Sequence, residues 1–547
     1  MGSYGVALDL GTSGIRGQAV DLDSGEIIST AITGQHPLPG GNVMDHLHFS
    51  VECTQAGSAS VPHDLLVDSV NKVVQGLGVP REEVERVAIC GNPIQLSLFQ
   101  SLEVRDLAYA GKSKLESIGV SQQVRGARIG TVGEIHGLEL PEDAVLVVPP
   151  AVRHEVGADA LAMMLKSGML ERDEVALVTD YGTNAEMALK VGDQVVTGSA
   201  ACGPAFEGQA IAFGMLAVPG AICDLERVDG GYRNLALDED MMPEFAATVD
   251  PRSGVVRERG SREVCGITGT GVMAALALGL QDGFVKLPKL DSPDGRMHLG
   301  GSVVLGTDDV IEVGKAVGAA RAGHVTLAQE LGIKVEDIKV AYMAGASGTY
   351  VDARKAQAIG MVPASVERMY QIGNTSLMLA RDLVSDPDSV WKVEEIAQGL
   401  RAHHSMFAEA KVFKDVYILE LGYWTEGMPW DMYRKFMDRA GVQPPKEFPG
   451  EVEVIRIVDR DIPDLGSRGL RVVTDVGMQM LARFEGCTDC GTCRDVCPEK
   501  AITFTEDEQG ERLVHVASAR CLGVSCLQCE ISCPDKVFDF GEFINIV

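Results

Sequence analysis

Residues 4–33 read YGVALDLGTSGIRGQAVDLDSGEIISTAIT, three runs rich in β-branched residues broken by Gly, Ser and Asp. That punctuation predicts three short strands joined by tight turns, a β-meander. The first turn carries Asp9, Gly11, Thr12, Ser13 and Gly14. It presents consecutive backbone N–H groups and two hydroxyls to an anion, and its glycines let the backbone approach a phosphate closely. Asp9, leaving the first strand, is placed to hold Mg2+ through water. Taken alone, D-x-G-T-S-G also suits an ordinary hairpin.

An internal repeat raises the phosphate reading above the ordinary one. Residues 174–200 read EVALVTDYGTNAEMALKVGDQVVTGSA, with Asp180, Gly182, Thr183 and Asn184 where Asp9, Gly11, Thr12 and Ser13 stood. Each half continues to a similar apolar strand, VERVAICGN at 84–92 and IKVAYMAGASG at 338–348. In the second, Gly345, Ala346, Ser347 and Gly348 open a helical stretch and form a loop suited to adenosine. After the first strand, Gly91 and Asn92 begin a turn that lines the same kind of site or is simply structural.

Two Asp-Gly-Thr hairpins and a late Gly-rich turn resemble the superfamily of actin, sugar kinases and the 70-kilodalton heat-shock proteins. The resemblance implies an α/β fold of two RNase H-like halves, residues 1–165 and 166–400, with ATP between them. It also implies that 154–165 and 267–280 are connecting helices, although both patterns equally suit core helices. Glu155 and Asp159 are candidates for orienting an attacking water. Between 401 and 480 the pattern is weakest. The adjacent His403 and His404 lack further metal ligands, the aromatic run 417–433 reads as core packing, and Pro444, Pro445 and Pro449 mark a linker.

Residues 481–547 form a separate module. Cys487, Cys490, Cys493 and Cys497 follow C-x2-C-x2-C-x3-C, with Pro498 after them; Cys521, Cys526, Cys529 and Cys533 follow C-x4-C-x2-C-x3-C, with Pro534. Eight thiols so spaced predict two [4Fe-4S] clusters in a small α+β ferredoxin-type domain. Three close cysteines cap three corners of a cube and the fourth reaches across, so Cys533 joins the first trio and Cys497 the second. C-x2-C pairs also suit zinc, but three-cysteine runs with a trailing proline are not usual zinc spacing.

The chain of 547 residues carries 48 Lys and Arg against 78 Asp and Glu, a formal charge of −30, which argues against nucleic acid as partner. Its longest apolar run, near 272–280, is far shorter than the ~20 residues of a membrane span. The start, MGSYGVALDL, passes directly into a strand without a basic region, so a cytoplasmic protein is expected. The five remaining cysteines, Cys53, Cys90, Cys202, Cys223 and Cys265, read as buried free thiols.

A closer resemblance extends over nearly the whole chain. ALDLGTSG, HPLPGGNVMDH, AICGNPIQLSLFQ, HEVGADALAMML, VTDYGTNAEMALK, GITGTGV, AGASGTYVDA, GNTSL, YWTEGMP and the double cysteine motif together resemble the reductive activases of corrinoid proteins in methylamine methyltransferase systems of methanogenic archaea. That family implies reduction of inactive Co(II) to Co(I) on a corrinoid partner, driven by ATP with Mg2+ and fed by a low-potential electron donor. It implies one phosphate loop at Asp9, Gly11, Thr12, Ser13 and Gly14, another at Asp180, Gly182, Thr183 and Asn184, and adenosine at 345–348. Two other classes remain open on the residues alone. One is a small-molecule kinase with an appended ferredoxin; the other is an ATP-gated electron carrier for another metalloenzyme, such as methyl-coenzyme M reductase or a dehydratase.

Overall fold

The computed structural model describes residues 2–545 apart from 109–111, 152–155, 183, 203–204, 206–207, 209, 216, 240, 401–404, 408, 443–448 and 507–511. The chain parts into two compact units. The first holds 1–161, 376–399 and 464–547, and the second holds 162–375 and 400–463.

In the first unit the meander forms as β1 (Tyr4–Leu10), β2 (Ile15–Asp21) and β3 (Ile27–Thr33). β1 is central, antiparallel to β2 on one side and parallel to β4 (Val84–Gly91) on the other. Its nearly continuous apolar run follows from that position, buried on both faces. A parallel return needs a crossover. Residues 34–83 supply it, including helices α1 (Val43–Gln55) and Val61–Leu77. Beyond β4 the sheet adds β6 (Val145–Val148) and β5 (Arg128–Thr131), and the strand Leu470–Val473 joins its far edge beside β3.

The second unit repeats this plan. β7 (Ala176–Tyr181), β8 (Asn184–Val191) and β9 (Gln194–Ala201) are an antiparallel meander, and β10 (Val340–Ala344) runs parallel to β7 as β4 does to β1. β11 (Arg368–Gly373) and β12 (Glu453–Arg456) complete six strands. A five-stranded sheet between residues 221 and 267 is inserted before the helix Gly269–Gln281. That helix is apolar on all sides and buried from Gly269 to Gly279 within the second unit's core. It is a core helix rather than a connection, the outcome expected when no polar face exists to meet solvent. The other proposed connection, Ala158–Ser167, contains the division between the units.

The poorly patterned stretch 401–480 is shared out. Helices Lys411–Trp424 and Trp430–Arg439 pack into the second unit with Trp424 buried, while 453–456 and 470–473 extend the two large sheets. His403 and His404 lie outside the described residues, as do Pro444 and Pro445. The C-terminal module belongs to the first unit and has a three-stranded antiparallel sheet, Gln479–Ala482, Arg512–Ala517 and Ile502–Glu506. Among the described residues no helix is long and apolar enough to cross a membrane.

Candidate functional site

The two hairpin turns carry their aspartates at the same place in two like sheets, one in each unit. Asp9 stands opposite Cys90 of β4 and Asp180 opposite Ala344 of β10, each on the strand flanked by one antiparallel and one parallel neighbour. In the first turn the Gly11 N–H donates to the Gly14 carbonyl. Thr12 Oγ1 accepts from Asn92 Nδ2 at 3.2 Å, so the turn after β4 reaches the first hairpin. Asp9 is buried and its Oδ2 lies 3.3 Å from Arg16 Nη1. Asp159, at the start of its helix, faces the same carboxylate; burial and then Asp9 push it up to about 6. Of the two candidates for orienting water, Asp159 therefore lies beside the hairpin, and Glu155 lies outside the described residues.

The second turn is one residue tighter. Gly182 N–H donates to the Asn184 carbonyl, and Asn184 already belongs to β8, paired with Ala201. Gly14 therefore has no counterpart, and Thr183 lies outside the described residues. Gly345, Ala346, Ser347 and Gly348 open the helix Gly345–Tyr350 directly after β10. Gly345 has φ +73, and a Cβ there would run into the Asp180 carboxylate. The Gly-rich turn and the second aspartate are thus one piece of structure.

The eight motif cysteines ring two cavities. Cys497, Cys521, Cys526 and Cys529 line one, and Cys487, Cys490, Cys493 and Cys533 line the other. The walls are otherwise largely apolar: Ile502, Val516 and Phe540 in the first, Phe484, Phe504, Val514 and Phe538 in the second. Phe484 and Phe538 stack at 4.7 Å. Burial pushes the Cys521 and Cys529 thiols up to about 12, so iron would have to supply the stabilisation that solvent does not. Burial raises Cys533 as well, but the amides of Phe538, Val537, Asp535 and Lys536 outweigh it and hold that thiol below its usual range. Four thiols around an apolar hollow, with Ala501 N–H on Cys497 Sγ and Gly523 N–H on Cys521 Sγ, fit a cubane cluster. Cys53, Cys90, Cys202 and Cys223 are buried as expected, whereas Cys265 is exposed in the loop before its short strand.

Sequence reasoning passed over Gln95, His36 and His46, which lie buried in one cluster beside α2 (Pro93–Phe99). The histidines' signal was the dense stretch HPLPGGNVMDH, which carries no ligand spacing, and Gln95 lies in GNPIQL, the stretch after β4 read as lining the site or as simply structural.

Three family models match the chain: the RACo middle region over 4–172, the C-terminal domain of RACo, the ASKHA domain, over 174–434, and a 4Fe-4S dicluster domain over 486–537. A Methanosarcina barkeri protein described as "[Co(II) methylated amine-specific corrinoid protein] reductase" is 45% identical over 523 residues, 95% of this chain and 96% of that protein. "Corrinoid activation enzyme RamQ" of Eubacterium limosum is 25% identical over 377 residues, 66% of this chain and 60% of that protein. The solved "Reductive activator for corrinoid,iron-sulfur protein" superposes with a TM-score of 0.60 at 23% identity, over 77% of this chain and 66% of that one, and shares the fold. Two like-folded units with an aspartate on each hairpin, a dicluster domain at residues 486–537, and identity along almost the full length of one such reductase place this chain in the family of corrinoid-protein reductive activators.

Proposed function

We propose that this chain reduces the inactive Co(II) state of a corrinoid protein to Co(I) in an ATP-dependent reaction, and that its partner serves methylated amines. One observation carries the reading: two Asp-bearing hairpins of the ASKHA fold share a chain with two four-thiol cavities. The 45% identity to a reductase described as specific for methylated-amine corrinoid protein supports the choice of partner.

The reaction moves one electron from an external low-potential donor to cobalt, while ATP and water give ADP and phosphate. When bound, two [4Fe-4S] clusters supply the one-electron steps on the way. Cys487, Cys490, Cys493 and Cys533 hold one, and Cys497, Cys521, Cys526 and Cys529 the other. Phe and Val side chains line part of each hollow, while Cys487 and Cys490 remain exposed. Gly11 and Gly182 close their turns through their own N–H groups, which leaves the amides of Thr12, Ser13 and Gly14 and that of Asn184 to face phosphate oxygens, while residues 345–348 would face adenosine. Asp9 would hold Mg2+ once Arg16 yields its carboxylate, and Asp180 has the equivalent place on the second hairpin. Asp159, largely ionised at neutral pH, accepts a proton from the attacking water.

Raising an electron by 100 mV requires about 2.3 kcal/mol. A nucleotide shifts an equilibrium only by its unequal affinity for two states. Binding of ATP to a form that grips the corrinoid partner therefore provides the driving force, and hydrolysis releases it. The test is an anaerobic spectrum of a Co(II) methylated-amine corrinoid protein mixed with the cluster-loaded chain and a reductant. Growth of Co(I) absorption only with ATP supports the reading. Persistence of Co(II) with reduced clusters and consumed ATP rejects it.

A further inference from the structure

Within the first unit, an unbroken set of hydrogen bonds joins the phosphate hairpin to the loop that carries Cys521. It begins at Thr12 Oγ1, which accepts from Asn92 Nδ2 at 3.2 Å. Asn92 caps α2, its Oδ1 accepting from the Ile94 and Gln95 amides at 3.1 and 3.0 Å. Gln95 is fully buried and touches two histidines, at 3.1 Å from His36 Nε2 and 2.8 Å from His46 Nδ1.

The tautomers follow from one fixed donor. The Leu38 N–H points at His36 Nδ1 at 3.2 Å, so Nδ1 accepts and the ring proton of neutral His36 lies on Nε2. His36 therefore donates to Gln95 Oε1, and the Gln95 amide donates to His46 Nδ1. The two rings also stack at 4.1 Å. A polar cluster with this single direction of donation has one arrangement of its protons.

Residues 36–46 then lie as a strap on the C-terminal module. Pro37 O accepts from Ser518 Oγ at 2.6 Å, and Gly40 N–H donates to the Cys521 carbonyl at 2.8 Å. Asn42 Nδ2 reaches Ser525 Oγ at 3.1 Å, and Ser525 donates to Asp45. Asp45 also takes the Gly41 amide and Asn42 Nδ2 at 2.9 Å each. The approach is close at Gly523, where a Cβ would stand 3.3 Å from Gly40 Cα, and Gly40 itself, at φ +142, has no room for a Cβ beside Asp45 and His46. Gly523 is the residue whose amide donates to Cys521 Sγ at 3.4 Å. The strap thus bears on a backbone-to-sulfur hydrogen bond, one of the features that set a cluster's potential.

We propose that Gln95 is a positioning residue that couples nucleotide at the first hairpin to the electronic state of the cluster held by Cys497, Cys521, Cys526 and Cys529. The inference rests on the nucleotide and cluster assignments proposed for those two sites. Phosphate drawing on Thr12 loosens or tightens Asn92, Gln95 transmits the change to the histidine pair, and the strap passes it to Gly523 and Cys521.

The test uses the full chain with both clusters loaded, Mg2+ and a non-hydrolysable ATP analogue. Iron content, analogue affinity, and the EPR spectrum and midpoint potential of the clusters are measured on the same samples. The wild type shifts the spectrum and potential of one cluster when the analogue binds. Gln95→Met keeps the iron content, the nucleotide-free spectrum and analogue affinity within threefold, and loses at least half of the shift. Ser525→Ala, at the far end and outside the buried cluster, shows the same loss, and the double variant loses no more than either alone because both cut one path. The proposal is overturned if the loaded wild type binds the analogue without any shift, or if both single variants retain the shift in full. Failure of the wild type to bind the analogue or to load iron overturns the underlying assignments instead, and the affinity and iron measurements identify that case.

Discussion

At Gly345 a single hydrogen stands where any side chain would meet the Asp180 carboxylate. The backbone there is left-handed, at φ +73, which costs a non-glycine residue about 1–2 kcal/mol. Gly345→Ala should therefore displace Asp180 and weaken nucleotide binding by roughly tenfold or more, with the cluster spectrum intact; titration with a fluorescent ATP analogue measures it. Asp180→Ala tests the chemistry rather than the shape. It should slow ATP-dependent Co(I) formation by on the order of a hundredfold while dithionite still reduces the clusters, and an unchanged rate would remove Asp180 from the phosphate site. Both residues were legible because glycine and aspartate at a strand end have few other reasons to recur in two halves of one chain. Gln95 and the two histidines were not, since their meaning lies in hydrogen bonds between residues about 50 positions apart.

The meanders were legible as elements because β-branched alternation and turn residues are local signals, and the repeat doubled them. The helices after residue 410 were not, because what holds them is complementary only in space. Lys411–Trp424 packs on Thr307–Glu330, where a Cβ on Gly314 would stand 2.7 Å from Trp424 Cβ and one on Gly318 would stand 2.9 Å from Glu420 Cβ. At that contact Arg321 Nε bonds Glu420 Oε1 at 2.9 Å, Tyr433 donates to the same oxygen, and the rings of Tyr423, Trp430 and Tyr433 surround the guanidinium. Burial pushes the Glu420 carboxyl up against the pull of Arg321. Glu420→Gln leaves a buried guanidinium without its counter-charge and should cost about 3–5 kcal/mol, read from denaturant unfolding followed by tryptophan fluorescence. Adding Arg321→Met should recover most of that loss.

The neighbouring His324 adds a pH dependence to the same helix. Burial, then the Arg321 charge, lowers its pKa to about 3, against 6.5 in the unfolded chain. The folded state therefore binds fewer protons, and the stability this histidine permits is complete above pH 6.5 and falls as pH drops toward 3. At pH 5.5 the loss from this residue is about 1.4 kcal/mol. His324→Leu should shrink the stability difference between pH 7.5 and 5.5 by that amount in the same fluorescence assay; an unchanged difference would mean that His324 already gains its proton in the folded protein.

For the whole molecule, the linear order of the chain is a poor guide to what packs together. The first unit is assembled from three separated segments, so residues 464–547 fold onto the N-terminal meander and not onto the helices that precede them. Short strands cause this: Leu470–Val473 pairs in parallel with Thr30–Thr33, more than 400 positions away, and four residues carry no periodicity that could announce such a partner. The crossing of the cysteine motifs is the same phenomenon at shorter range, but here spacing does announce it, because one cube cannot take four thiols from a C-x2-C-x2-C-x3-C run whose last member is turned away. In the structure Cys497 lines the cavity of Cys521, Cys526 and Cys529, and Cys533 that of Cys487, Cys490 and Cys493. Cys497→Ser should therefore lower the iron and alter the EPR signal of the cluster beside residues 36–46, even though its sequence neighbours keep theirs. Cys533→Ser should damage the other cluster and leave the nucleotide-sensitive signal in place. If each substitution instead destroyed the cluster of its own sequence run, the thiols would have to exchange cavities on loading, and the coupling from Gln95 would end at a different set of sulfurs.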